Sequence, residues 1–255
     1  MTNELLKELK EKNNDFIYEF TLPSNGKFEV PEYPKTFRMR IPKVKDEKAY
    51  LIKLSQIEDF NEAFAFIISR VTDIKNPEIL LPIDRDFILL QIKKSYDGEK
   101  IKTIIQDDKG HYNEITVDLS KIEIPKIKKK IPLEYEVELP VSGIKVKMKT
   151  MVLKDYISAG RFFNNLQEKD VLTRAYITLA ESILSFTTSE GKVYEIDNLY
   201  DKYLIIQELQ GVDKRALIEG KEPFLPLIKI PVEYTCRVCG THYNVELGVA
   251  DVAPF

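Results

Sequence analysis

Leu22-Pro23-Ser24-Asn25-Gly26 and Leu139-Pro140-Val141-Ser142-Gly143 are the two stretches from which the fold is read. Each runs from a Leu-Pro pair through small polar residues to a glycine able to take positive φ, the composition of a tight turn between strands. Around the first turn, residues 16–44 alternate and are broken by Pro23, Pro31, Pro34 and Pro42. Phe37, Met39 and Ile41 then lie on one side of a proline-guarded strand. The period next becomes helical, first over Asp46 to Gln56 and then from Asp59, an N-cap with Glu62 three residues on. Phe60, Phe64, Ile67, Ile68 and Val71 form that helix's apolar stripe. A third helix is expected after Pro82 with Asp84 as its cap, carrying Phe87, Ile88, Leu90 and Ile92 inward. Residues 99–106 and 111–119 return to period two, a hairpin turning at Asp107-Asp108-Lys109-Gly110.

The same order recurs. Lys45-Asp46 returns as Lys154-Asp155, Phe87-Ile88-Leu89-Leu90-Gln91 as Tyr203-Leu204-Ile205-Ile206-Gln207, and His111-Tyr112-Asn113 as His242-Tyr243-Asn244. Shared order across short matches reads as a tandem duplication. The expected architecture is α+β with two related modules, each a small β element packed with about three helices. Residues 1–15, with Leu5, Leu6 and Leu9 at helical spacing, form a leader helix. Residues 16–123 form the first module, 124–133 the linker, and 134–255 the second module, which ends in a zinc-knuckle-like hairpin.

The chain has 255 residues, 44% of them hydrophobic, enough to bury a sizeable core. With 38 Lys and Arg against 41 Asp and Glu, its net charge of −3 provides no global field for nucleic acid or an anionic membrane. No run reaches the roughly 18 apolar residues of a membrane span, and Met1 to Lys12 mix Leu with Glu and Lys, unlike a signal peptide. A cytoplasmic protein is expected. Just 2 His and 2 Cys leave few ways to build a hydrolytic triad or a His-rich metal centre. No Gly-rich phosphate loop, Rossmann fingerprint, metalloprotease helix or nucleophile elbow occurs, so the chain reads as a non-enzyme.

Cys236-Arg237-Val238-Cys239-Gly240 lies between two expected strands, where a tight turn aims two thiolates at one point. This is half of a zinc ribbon. Cys236, Cys239 and His242 are the candidate ligands of a structural zinc, with the distant His111 needed to complete four, or a second chain completing the site. The alternative is a hairpin turn without metal. Asp84-Arg85-Asp86 could pair carboxylates over a cation, or simply complement a helix N-terminus. Lys121, Lys126, Lys128, Lys129 and Lys130 read as a phosphate-binding run or as an exposed linker. The aromatic set Phe60, Phe64, Phe66, Phe162, Phe163 and Phe186 reads as core. The apolar end, Val249 to Phe255, is either an interface or a strand folded back.

The Leu22 to Gly26 turn, the strand Thr36 to Ile41, Lys45-Asp46-Glu47 and Asp84-Arg85-Asp86-Phe87-Ile88-Leu89-Leu90 together resemble the tail-baseplate protein family of T-even-type contractile phages. The resemblance covers residues 20–120 best. In that family a Cys-Pro-x-Cys knuckle can follow, whereas here the knuckle closes the second half, with Arg237 in place of proline. The resemblance implies a non-enzymatic component or assembly factor of the central baseplate hub, located in the virion tail baseplate and, during assembly, in the host cytoplasm. Its implied partners are other tail and baseplate hub proteins, in an oligomer or hetero-complex, with neither membrane nor nucleic acid. Two other readings are a chaperone of the tape-measure protein and a zinc-ribbon nucleic-acid-binding accessory protein.

Overall fold

The computed structural model describes residues 4–7, 16–57, 59–167, 169–220 and 226–255. Residues 4–7 are helical with Leu5 and Leu6 exposed; Leu9 and the rest of the expected leader up to residue 15 lie outside the described residues.

Strands β1 (Tyr18–Thr21) and β2 (Thr36–Met39) pair antiparallel, Tyr18 opposite Met39. Period two sorts β2, with Phe37 and Met39 buried and Thr36 and Arg38 exposed. Between the strands, Asn25 and Gly26 take φ of 48° and 70°, the left-handed conformations that this turn requires. Helix α1 (Val44–Gln56) follows Pro42, and α2 (Phe60–Val71) is capped by Asp59, which accepts the Asn61 N–H at 2.7 Å. Its expected stripe is buried at Phe64, Ile67, Ile68 and Val71, while Phe60 stays half exposed. Helix α3 (Pro82–Asp97) opens on proline, and its N-cap is Leu81. Asp84 therefore sits inside the first turn, and its carboxylate caps another segment. The chain leaves α3 at Gly98, φ 88°, into the hairpin β3 (Lys100–Gln106) and β4 (Tyr112–Asp118), then a 3-10 turn at Leu119–Lys121.

The second half starts with β5 (Glu134–Glu138) and β6 (Lys145–Lys149) around the second Leu-Pro turn. Helices α4 (Leu153–Asn164) and α5 (Val171–Ser182) lead to β7 (Ile183–Thr187) and β8 (Val193–Glu195), giving an antiparallel sheet ordered β5-β6-β7-β8. Helices α6 (Leu199–Glu208) and α7 (Gly211–Glu219) follow, then the hairpin β9 (Ile230–Thr235) and β10 (His242–Leu247) and a 3-10 turn at Val249–Asp251. The molecule is thus α+β, built from several small sheets and packed helices. In the first half a single antiparallel bridge joins Met39 to Thr72, directly after α2.

Two main clusters of apolar side chains form. The larger gathers Phe37, Met39, Ile67, Ile68, Leu80, Ile88 and Leu89 with Ile115 and Val117 of the first hairpin. Ile228, Ile230, Val232, Val249 and Val252 from the chain's last thirty residues join that same cluster. The other holds Leu139, Val146, Met148, Ile177, Ile183, Phe186, Tyr203 and Leu217. Phe163 is also buried, so of the aromatic set only Phe60 is exposed. Between the two clusters, α2 and α4 meet through Ala65, Leu153 and Ile157, the Leu153 N–H donates to the Leu80 carbonyl at 2.8 Å, and Arg161 pairs with Glu62 at 2.6 Å. Residues 124–133 are held as well: Ile127 and Ile131 are buried, and the Ile131 N–H donates to the Lys27 carbonyl at 2.9 Å. No helix among the described residues is long and apolar enough to cross a membrane.

Candidate functional site

The tips of the two hairpins face each other. In the first, the Asp107 carboxylate accepts the N–H groups of Lys109 (3.0 Å) and His111 (2.8 Å), an Asx-type turn that leaves its other oxygen 3.2 Å from His111 Nδ1. In the second, the Cys236 N–H donates to the Thr241 carbonyl and the Gly240 N–H to the Cys236 carbonyl, both at 2.9 Å. Gly240 takes φ 69° to close it.

Polar contacts join the tips. The Arg237 N–H donates to Asn113 Oδ1 (3.2 Å), Lys109 Nζ to Thr241 Oγ1 (3.0 Å), and the Tyr243 hydroxyl to Asp108 (2.6 Å). Cys236 is buried, and its Sγ lies 3.6 Å from His111 Nδ1. Asp107, His111, Cys236 and Cys239 each turn one donor atom toward a common point, all four within 4.8 Å of one another. Burial pushes the Asp107 carboxyl up, but the His111 N–H, the Cys236 thiol and the Lys109 N–H outweigh it and hold it down to about 2. The Cys239 thiol is held down to about 6, first by the Thr241 hydroxyl and N–H.

His111, Cys236 and Cys239 are therefore brought together, and Asp107 joins them. His242 stands apart, exposed on β10 with Nδ1 3.3 Å from Thr235 Oγ1. The reason is a phase difference of one residue. Tyr112 pairs with Gln106 across the first hairpin, and the position that pairs with Thr235 across the second is held by His242. The Cys turn is one residue longer, so in hairpin geometry Cys236 matches Asp107, and Thr241 matches His111. Matching His111-Tyr112-Asn113 to His242-Tyr243-Asn244 as text hides this, because one residue along a strand exchanges its faces. Asp107 lies in the turn already read from sequence; its position at the end of β3, facing a tip 129 residues on, is visible only in the fold.

The remaining candidates have structural partners. Asp84 accepts the Ser24 N–H (2.9 Å) and the Tyr33 hydroxyl (2.5 Å), and burial holds its carboxyl above the usual range. Asp86 pairs with Arg85 at 2.7 Å, and Arg85 reaches on to Asn61. Lys130 of the basic run pairs with Glu29 at 2.7 Å. A cavity of about 280 Å³ in the second half is lined by Tyr135, Met151, Tyr156, Tyr176 and Lys149, whose ammonium is held by Asp155 (2.8 Å) and Glu181 (2.9 Å). Outside, large apolar side chains project from several faces: Val44, Leu51 and Ile52 on α1, Val171 (84% exposed) and Leu172 on α5, Leu204 on α6, and Val212 and Ile218 on α7.

The fold is thus α+β, with buried carboxylates that hold turns and helix starts and with apolar side chains exposed on several outer faces. The chain belongs to the T4 bacteriophage base plate protein family, which matches residues 15–252. No curated protein and no solved structure matches it. Family membership makes it a structural phage tail protein of the virion baseplate, interacting with other tail proteins.

Proposed function

We propose that the chain works in the central hub of the baseplate, as a hub component or as a factor that brings hub proteins together, through protein contacts and without turnover. The observation that carries this reading is the family match running from residue 15 to residue 252. The exposed apolar residues on α1, α5 and α7 offer apolar surface that a protein partner would cover. The net charge of −3 favours protein partners over nucleic acid. Quantitative mass spectrometry of purified virions, together with affinity capture of the tagged chain from phage-infected host cells, tests the proposal. Recovery with hub proteins supports it, with presence in the virion separating component from assembly factor. Recovery with the tape-measure protein alone would replace it by the chaperone reading.

The chain is further read as a duplicated module, 16–123 and 134–255. Support comes from matched hydrogen bonds. Asp46 accepts the Lys43 N–H and Asp155 the Val152 N–H, both at 2.8 Å, each at the third position of its helix. Asp84 accepts the Ser24 N–H, and Asp213 the Val141 and Ser142 N–H groups, each reaching a Leu-Pro turn from a helix's first turn. By these bonds the counterpart of α3 is α7, which carries Asp213, rather than α6, which carries Tyr203.

A further inference from the structure

We propose that Asp107, His111, Cys236 and Cys239 bind one zinc ion that pins the last hairpin to the first. The donor set is the argument. Two thiolates and an imidazole select a borderline-soft cation over magnesium or calcium, and a carboxylate is an ordinary fourth zinc ligand. A tetrahedral zinc with bonds of about 2.0–2.3 Å separates neighbouring ligand atoms by roughly 3.3–3.8 Å. His111 Nδ1 already lies 3.2 Å from the Asp107 carboxylate and 3.6 Å from Cys236 Sγ. Cys239 is exposed on the turn, so it can move inward without disturbing the core.

The supporting groups are those a zinc site needs. Asp107's second oxygen is fixed by two backbone N–H groups, so the ligand oxygen is oriented before metal arrives. Binding releases to solvent whatever thiol protons remain, and Zn²⁺ with two thiolates and a carboxylate leaves one negative charge. Lys109 Nζ, 3.9 Å from Cys239 Sγ, offsets it. The ligands come in pairs from two turns, with His111 and Cys236 125 residues apart, so the ion would close the loop running through the whole second half.

The test uses the full chain, reduced and stripped with chelator, then titrated with Co²⁺. The expected result is one Co²⁺ per chain, with tetrahedral d–d bands and a thiolate-to-cobalt charge-transfer band that zinc abolishes by displacement. Cys239→Ser and Asp107→Asn should each weaken binding by at least about tenfold, the least that disturbing a zinc site's support costs. His111→Ala should do the same, and His242→Ala should leave binding unchanged. Should a variant fail to fold, alkylation of wild-type Cys239 supplies the same reading: zinc should slow it. The proposal is overturned by an octahedral or absent cobalt spectrum, by a Cys236–Cys239 disulfide with no metal uptake after reduction, by unaltered binding in His111→Ala, or by alkylation indifferent to zinc.

Discussion

Asp46 has no exposed side-chain surface, yet it is charged. Arg40 at 2.7 Å and Arg70 at 2.6 Å both pair with it, and it accepts the Lys43 N–H. Burial raises its carboxyl, but those three donors outweigh it and hold it below the usual range. Its stabilisation is therefore complete above the unfolded carboxylate value of about 4 and is lost as pH falls through the lower folded value. Asp84 has the opposite sign: burial raises its folded value, so its ionised form costs stability at neutral pH, and that cost disappears as pH falls through the raised value toward about 4. Asp46→Ala should cost about 3 kcal/mol at pH 7, as expected for removing one member of a buried ion pair, read from the denaturant midpoint. Asp84→Asn should be milder than Asp46→Asn in thermal unfolding at pH 7, with the gap narrowing as pH falls, first through the raised Asp84 value toward about 4 and then below about 4 through the lowered Asp46 value.

The contact between α2 and α4 depends on a residue without a side chain. A Cβ built on Gly160 would lie 1.5 Å from Asp59 Oδ2, so the α2 cap and the middle of α4 approach as only glycine permits. Asp59 is itself buried, and burial raises its carboxyl despite the Asn61 N–H and the nearby Arg174. Gly160→Ala should cost about 1–3 kcal/mol through overpacking, even though alanine is the better helix former. Thermal unfolding of Gly160→Ala alone and combined with Asp59→Ser checks the cause. Recovery in the double variant identifies the clash, whereas additive losses would place the cost elsewhere.

Across the whole molecule, the chain's end completes the core of its beginning. Val249, Val252 and Ala253 are buried in the first cluster, and the Phe255 ring packs 5.6 Å from Tyr50 and 5.0 Å from Tyr96 between centroids. The apolar end read from sequence as interface or fold-back is thus a fold-back. Deleting residues 249–255 should lower stability by about 4 kcal/mol, at roughly 1.5–3 kcal/mol for each buried valine. A denaturant midpoint that did not move would show that these residues add nothing to the core.

The turns at Gly26, Gly143 and Gly110, the α2 stripe and both hairpins were legible in the sequence because each depends on residues a few positions apart: a period, a cap or a glycine. The α+β class and the Cys236–Cys239 turn were legible for the same reason. Their partners were not. Apolar alternation in β9 says that one face must be buried but not against what, and only packing assigned Ile230 and Val232 to the first half's core. Asp84 looked like a cap for its own helix, since a carboxylate near a helix start satisfies that role locally; the fold instead gave it the Ser24 N–H, 60 residues back. The same holds at the thiols. Spacing brought two cysteines to one turn, but Asp107 rather than His242 came to face them because the second turn is one residue longer, and in a strand one residue decides the face.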